Sequence, residues 1–373
     1  RPKIWNEKQA VKADSIFYDK ENGEGLAMGH ARVQDIENSI IVVGSRVKYN
    51  DLTKIASATD SAVLIQYSKT DSLYLHADYL KTMPDTTTKR VSLIDKKNPV
   101  KQKVKPSAKK AGPVLPNATP ELKAFPQTMN KASKDSVLSV AMVRDTVRTD
   151  SLAAKAPPAK DNRLVQAYHR VRFFRGDLQG KCDSLTYFSK DSTIQMFTQP
   201  VIWSKGTQIS ANYIEMINRT KDPDEIRMME DAFIISMEDD SIRFNQIKGK
   251  NMTGYMRNNE LDRIDVNGNG ESNYYARDKS GIIGLNKAQS SNIIIYMNKG
   301  KVKKISFVKA PDGELKPMGD LTDGDKLLPG FNWQEEIRPK NKEDIFNYPV
   351  PSVKTEKPAD KTEKTVKKKE EKA

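Results

Sequence analysis

Residues 163–308 alternate apolar and polar positions in run after run: Val171 and Phe173, Leu185 and Tyr187, Ile209, Ala211 and Tyr213, Ile242 and Phe244, Ile293 and Ile295. A period of two is the mark of a strand with one buried face. Turn formers separate the runs: Arg175-Gly176-Asp177, Ser189-Lys190-Asp191, Lys205-Gly206, Lys221-Asp222-Pro223-Asp224, Lys279-Ser280-Gly281 and Asn298-Lys299-Gly300. Gly268-Asn269-Gly270 reads as a hairpin turn of the same kind. This constrains the chain to an all-β architecture of many short strands, a sandwich, barrel or stack.

One motif recurs within the ladder: a small residue, then Asp or Asn, then apolar residues. It includes Asp183, Asn212, Asn251 and Asn292, spaced by 29, 39 and 41 residues. An imperfect period of this size predicts stacked β-units, each burying its face against the next. Residues 13–83 form a first ladder of the same make. It has strand-like runs at 13–19, 25–35, 39–50, 56–68 and 71–82, and the motif returns at 13–18 and 76–80. The dipeptide Asp-Ser recurs at 14–15, 60–61, 71–72, 183–184, 191–192 and 240–241. These are read as turn or strand-entry residues whose carboxylates accept from backbone N–H groups.

Residues 84–161 break the pattern. Prolines at 84, 99, 106, 113, 116, 120, 126, 157 and 158 lie among Lys, Ala, Ser and Thr, too few apolar groups to offset the entropy of ordering. The predicted organisation is a first ladder over 1–83, a disordered basic insertion over 84–161, a second ladder with a C-terminal cap over 162–340, and a disordered Lys/Glu-rich tail over 341–373. Residues 135–147 are the apolar island of the insertion, either a docking segment or simply a less polar stretch of linker. Phe331 and Trp333 are the expected anchors of the cap.

The net charge of +14 invites a nucleic-acid reading, but its location argues against one. Residues 84–161 hold 16 basic and 7 acidic residues and residues 338–373 hold 11 and 7, leaving the ladders near neutral. A nucleic-acid-binding domain carries its basic face on the folded part. No run approaches 18 consecutive apolar residues, so no transmembrane helix is expected. The chain opens at Arg1, close to a strand-like segment, as expected of a fragment or processed chain, so the lack of a leader says nothing of compartment.

Chemistry-bearing residues are sparse. The single cysteine, Cys182, excludes an internal disulfide or a cysteine-based zinc site and reads as a buried strand thiol. His30, His76 and His169 lie in separate strand-like segments and read as half-exposed strand histidines. There is no phosphate-binding glycine loop and no nucleophile elbow. The acidic stretch 229–241 lacks calcium-loop spacing and reads as a strand over Ala232–Met237 between charged turns. A glycan-cleaving enzyme needs paired carboxylates; Asp183 and Asp240 are available, but nothing in the sequence pairs them. The chain is expected to be no enzyme and to need no cofactor or metal. What remains is surface: open sheet ends that accept another strand, or an apolar strip that accepts an apolar ligand.

At this point the sequence resembles a known family. Residues 23–35, 58–82, 170–215 and 284–308 resemble the OstA-like (LptA-type) lipopolysaccharide-transport proteins, in particular the large OstA-like proteins of Bacteroidetes. The resemblance spans about 4–83 and 162–340. It implies an elongated open β-jelly roll (a "β-taco") with an apolar interior. It further implies a non-enzymatic periplasmic protein of a Gram-negative envelope, carrying lipopolysaccharide or its lipid A to the outer membrane and stacking on other OstA-like proteins through edge strands. No catalytic residue carries over. The chain departs from the small bridging members in its length, its insertion and its tail. A groove for acyl chains needs only an apolar strip, at about 25 cal/mol per Å² buried. The residues expected to form it are Val43, Val47 and Tyr49 in the first ladder, and Val171, Phe173, Leu185, Tyr187, Ile209, Tyr213, Ile242, Phe244, Ile293 and Ile295 in the second. A one-residue slip of phase would invert the assignment near 209–216. The alternative is a β-solenoid-like scaffold with a sealed core that recruits partners by strand addition without binding lipid.

Overall fold

The computed structural model describes residues 1–86 and 162–348, apart from positions 6, 8, 37, 69–70, 220–222, 239–240, 258–259, 280 and 299–300. The apolar island at 135–147 and Asp240 therefore lie outside the described residues. The fold is all-β, with 19 antiparallel strands in one sheet among the described residues. The first ladder contains β1 (Lys3–Trp5), β2 (Gln9–Lys12), β3 (Ser15–Asp19), β4 (Glu24–Asp35), β5 (Ile40–Asn50), β6 (Ile55–Tyr67) and β7 (Ser72–Pro84). After the insertion come β8 (Arg163–Arg175), β9 (Leu178–Phe188), β10 (Thr193–Phe197), β11 (Val201–Ser204), β12 (Thr207–Ser210) and β13 (Tyr213–Ile217). The series closes with β14 (Asp224–Met237), β15 (Phe244–Arg257), β16 (Glu260–Asp278), β17 (Gly281–Asn298), β18 (Lys301–Val308) and β19 (Asp312–Pro317). The two ladders are continuous, because β7 pairs with β8 from Tyr74↔Phe174 to Pro84↔Arg163.

Long strands join the short ones expected, and all of them pair in one continuous sheet. Seven strands, β6, β7, β8, β14, β15, β16 and β17, run for 13 residues or more, and β4 runs for 12. Each is interrupted near its middle. Register shifts fall between Met28 and Ala31, Val43 and Arg46, Thr59 and Ala62, His76 and Tyr79, Tyr168 and Val171, Met229 and Ala232, Lys248 and Asn251, and Asn267 and Gly270. Lined up across the sheet, these bulges make one fold line that divides every long strand into two arms.

The long strands β4, β6, β8, β14 and β16 cross the line with two consecutive left-handed residues. The pairs are Gly29-His30, Asp60-Ser61, His169-Arg170, Glu230-Asp231 and Gly268-Asn269. Gly, Asn, Asp and His tolerate that conformation better than β-branched residues. Gly268-Asn269-Gly270 is thus no hairpin turn but the bend inside β16, and the strand expected at Ala232–Met237 is one arm of β14. The intervening strands other than β5, which crosses at Gly44-Ser45, carry the repeated motif at the line. The Asp14 N–H donates to the carbonyls of Met28 and Gly29 at 3.1 and 2.8 Å, and the Asn212 N–H to Met229 and Glu230 at 3.2 and 2.9 Å. The Asn251 and Asn292 side chains accept from the N–H groups of Glu230 and Gly268 at 3.1 and 3.3 Å. Motif spacing grows because the arms lengthen toward β16 and β17, at 19 and 18 residues.

The small residues of the motif have a packing reason. Ala13, Ala31, Ala62, Ala77 and Ala232 are fully buried on the inside of the bend, where the two arms come closest. One apolar cluster then runs between the arms from Ala13 to Ile295, with Phe307 packed against it. The sheet does not close on itself: pairings run from β1 and β3 at one end to β18 and β19 at the other, with none joining the ends among the described residues.

Residues 318–348 turn back as a strap over the outer face of one arm. A row of side chains in register receives it: Gln179, Trp203, Gln208, Ile235, Gln246 and Asn273. Gln208 donates to the Asn332 carbonyl at 2.7 Å and accepts from the Gln334 N–H at 2.7 Å, and Asn273 donates to the Asp325 carbonyl at 3.0 Å. Phe331 and Trp333 stack on Phe244 at 5.3 and 5.2 Å between ring centroids. Beyond Ile337 the strap reaches the first ladder, where Phe346 meets His76 at 4.8 Å. Buried sheet polar groups thereby receive backbone partners, as burial demands.

Candidate functional site

The candidate site is the apolar interior between the arms. Two rows of cross-strand neighbours line one arm. The row next to the bend runs Val47, Ala58, Leu80, Ala167, Leu185, Met196, Ile214, Met228, Met252, Val266 and Ile293. The next includes Tyr49, Val165, Tyr187, Ile194, Met216, Ile226, Ile264 and Ile295. Leu75, Phe173, Ile202, Ile209 and Ile234 face them from the other arm.

Of the expected groove residues, Val47, Tyr49, Val171, Phe173, Leu185, Tyr187, Ile209, Ile293 and Ile295 point inward by register and burial. Four do not. Val43 stands in the row of Val63, His76 and Arg172, on the outer face. Tyr213 is also outside: it pairs with Phe197 and Met229, stacks on Phe197 at 5.2 Å and donates to Glu215 at 3.3 Å. Phe244 faces outward beneath the strap. Ile242 precedes β15 and is 80% exposed. For Val43 and Tyr213 the cause is the fold line. The extra residue at Gly44-Ser45 and at Ala211-Asn212 reverses the phase, so alternation extended across the bend inverts inside and outside.

The strongest missed signal is methionine. Met196, Met216, Met228, Met252 and Met256 are buried in this interior, and Met297 packs against it. Thioether side chains adapt to irregular apolar surfaces. The sequence showed 13 methionines but gave no phase by which to place them.

The middle of the interior is tightly sealed, with Met196, Ile214, Met252 and Ile293 at 0% exposure. It is looser along the strands of the first ladder, where Val11, Ile16, Val33, Val42, Leu64 and Leu73 are only partly buried, and near β18, where Val302, Ile305 and Phe307 are too. Buried charges lie elsewhere: Arg172 under the strap, Asp325 within the strap itself, Glu215 on the outer face of the other arm, and Arg175 at the tip of β8 with Asp177 at 2.6 Å. Burial raises the Tyr187 hydroxyl above the ordinary tyrosine range and likewise pushes the Cys182 thiol up, keeping it protonated. Among the described residues, no three His, Cys, Asp or Glu side chains gather into a metal-binding group.

The histidines separate by role. His30 and His169 sit on the fold line against Asp14 and Asp183, at 2.7 and 3.4 Å. His76 is buried, with Nδ1 2.8 Å from the Ala62 carbonyl, and desolvation lowers its pKa. Asp-Ser carboxylates partly serve as turn caps: Asp71 accepts from the Ser72 N–H at 2.7 Å and Asp191 from the Thr193 N–H at 3.2 Å. Those at 14–15, 60–61 and 183–184 mark the bend instead. No family model matches the chain, and no curated protein matches it. No helix among the described residues is long and apolar enough to cross a membrane.

Proposed function

We propose that the protein is a non-enzymatic lipid carrier of a Gram-negative periplasm, holding the acyl chains of lipopolysaccharide between the two arms on the way to the outer membrane. One observation carries this reading: a single apolar interior, rich in methionine, extends through both ladders and loosens toward its two ends. Each methylene moved from water into it contributes about 0.8 kcal/mol, so a lipid tail needs no polar constellation. The unpaired sides of β3 and of β18 and β19 are edges on which other OstA-like proteins would continue the sheet.

A second reading has its own support. The 0% exposure of Ile214, Met252 and Ile293 suits a sealed scaffold that recruits partners by strand addition. In-cell photocrosslinking separates the two. A photoreactive residue at Ile214, inside the bend, is expected to capture lipopolysaccharide, and one at Tyr213, outside it, is not. Absence of an adduct at Ile214, at Val47 and at Phe307 alike would refute the carrier and leave the scaffold.

A further inference from the structure

We propose that Arg172 and Lys181, side by side on the outer face where the strap crosses from the second ladder to the first, form a binding site for a phosphate group. The two are direct cross-strand partners on β8 and β9, and His76 is the next partner in the row. Arg172 is only 5% exposed. Its Nη2 donates to the Ile337 carbonyl at 2.6 Å, while its buried Nε has no partner. Neither cation forms an ion pair among the described residues. The nearby acids are engaged: Asp78 with Arg170 at 2.8 Å, and Asp344 with the Lys340 N–H and the Asn347 amide at 2.9 and 3.3 Å.

Burial draws both Arg172 and Lys181 below their usual ranges, and each lacks a carboxylate at contact to reverse it. Buried charges are ordinarily paired, and an unpaired buried donor calls for an acceptor. A guanidinium with a free Nε beside an ammonium suits an oxyanion with several acceptor oxygens and more than one charge. His76, kept neutral and stacked on Phe346, supplies a wall rather than a third charge. The Tyr348 ring, 5.7 Å from the Arg172 guanidinium, covers another side. The site lies outside the apolar interior and does not require that interior to hold lipid.

The test uses the full chain. Thermal melting is followed in sodium phosphate and in sodium chloride of equal ionic strength, and flotation is run with phosphatidylcholine vesicles with and without phosphatidic acid. A free phosphate ligand raises the melting temperature by about 3–6 °C at saturation. Lys181→Gln abolishes the rise and Lys181→Arg keeps it. Flotation that needs phosphatidic acid and is lost in Lys181→Gln, without a free-phosphate shift, assigns the group to a lipid headgroup. Should Lys181→Gln not fold, Lys181→Met serves in its place. No response in either assay, or responses unchanged by loss of the Lys181 charge, overturns the proposal. Crosslinking at Ile214 is expected to be the same in all these variants, so failure here and failure of the carrier reading are told apart.

Discussion

The backbone N–H of Leu328 donates to the side-chain oxygen of Gln246 at 2.8 Å, across 82 residues of sequence. Gln246 returns a bond to the Lys326 carbonyl at 2.7 Å. A fully buried amide on β15 thus acts as a short piece of backbone, to which the strap binds as a strand binds a neighbour.

Replacing Gln246 by Leu should leave one donor and one acceptor of the strap unsatisfied over an apolar patch. The expected cost is about 2–4 kcal/mol. It should appear as a lower urea midpoint and as faster trypsin cleavage after Lys326. A loss below about 1 kcal/mol would mean the strap is held by its other contacts without help from Gln246.

Gly180 lies in the inward row, and a Cβ there would intrude on the Phe173 ring. Gly180→Ala is expected to destabilise by about 1–3 kcal/mol through overpacking. Phe173→Leu in the same chain should recover part of that loss, a coupling that a double-mutant cycle measures. Strictly additive losses would contradict the packing described.

Asp325 joins Lys287 and Lys316 at 2.8 and 2.7 Å and closes a capping box with Thr322. These donors hold its carboxyl far below the usual carboxylate range. A depressed native pKa contributes stability that is fully present above the unfolded value, about 3.9, and is lost as pH falls below it. Strap protection in hydrogen exchange should therefore be flat from neutral pH to about 5 and decline only in stronger acid. Asp325→Asn should weaken the strap at neutral pH and remove that acid dependence.

Cys182 is the only thiol, and burial raises its pKa. Alkylating reagents should leave it unmodified in the native protein and react fully in denaturant. Rapid native labelling would show that the bend between β8 and β9 opens readily.

Much of the fold was legible in the sequence. The alternation identified the strands, and the small-Asp/Asn motif marked the fold line on the strands between the left-handed pairs except β5, although it reads in sequence as the start of a repeat. The bend itself was hidden. Gly268-Asn269-Gly270 carries the chemistry of a hairpin turn, and local residues do not distinguish a reversal from a bulge. Within each arm period two places residues correctly, as for Leu185 with Tyr187 or Ile293 with Ile295. Carried across the bend it fails, as for Val43 and Tyr213. Phe244 shows a second limit: an apolar residue on an alternating strand reveals burial, but not whether the covering partner is the opposite arm or, as here, Phe331 of a strap 87 residues away.

The strap also orders events during synthesis. Trp203, Phe233 and Ile235 leave the ribosome well before Leu328, Trp333 and Ile337, which cover them. A nascent chain that has completed β16 has its inner face matched by its own earlier strands while this outer face remains wet. Translation of the last third of the described sheet therefore passes through a window in which an apolar stripe awaits its cover, and a stall before residue 337 would leave that stripe for chaperones or neighbouring chains to find.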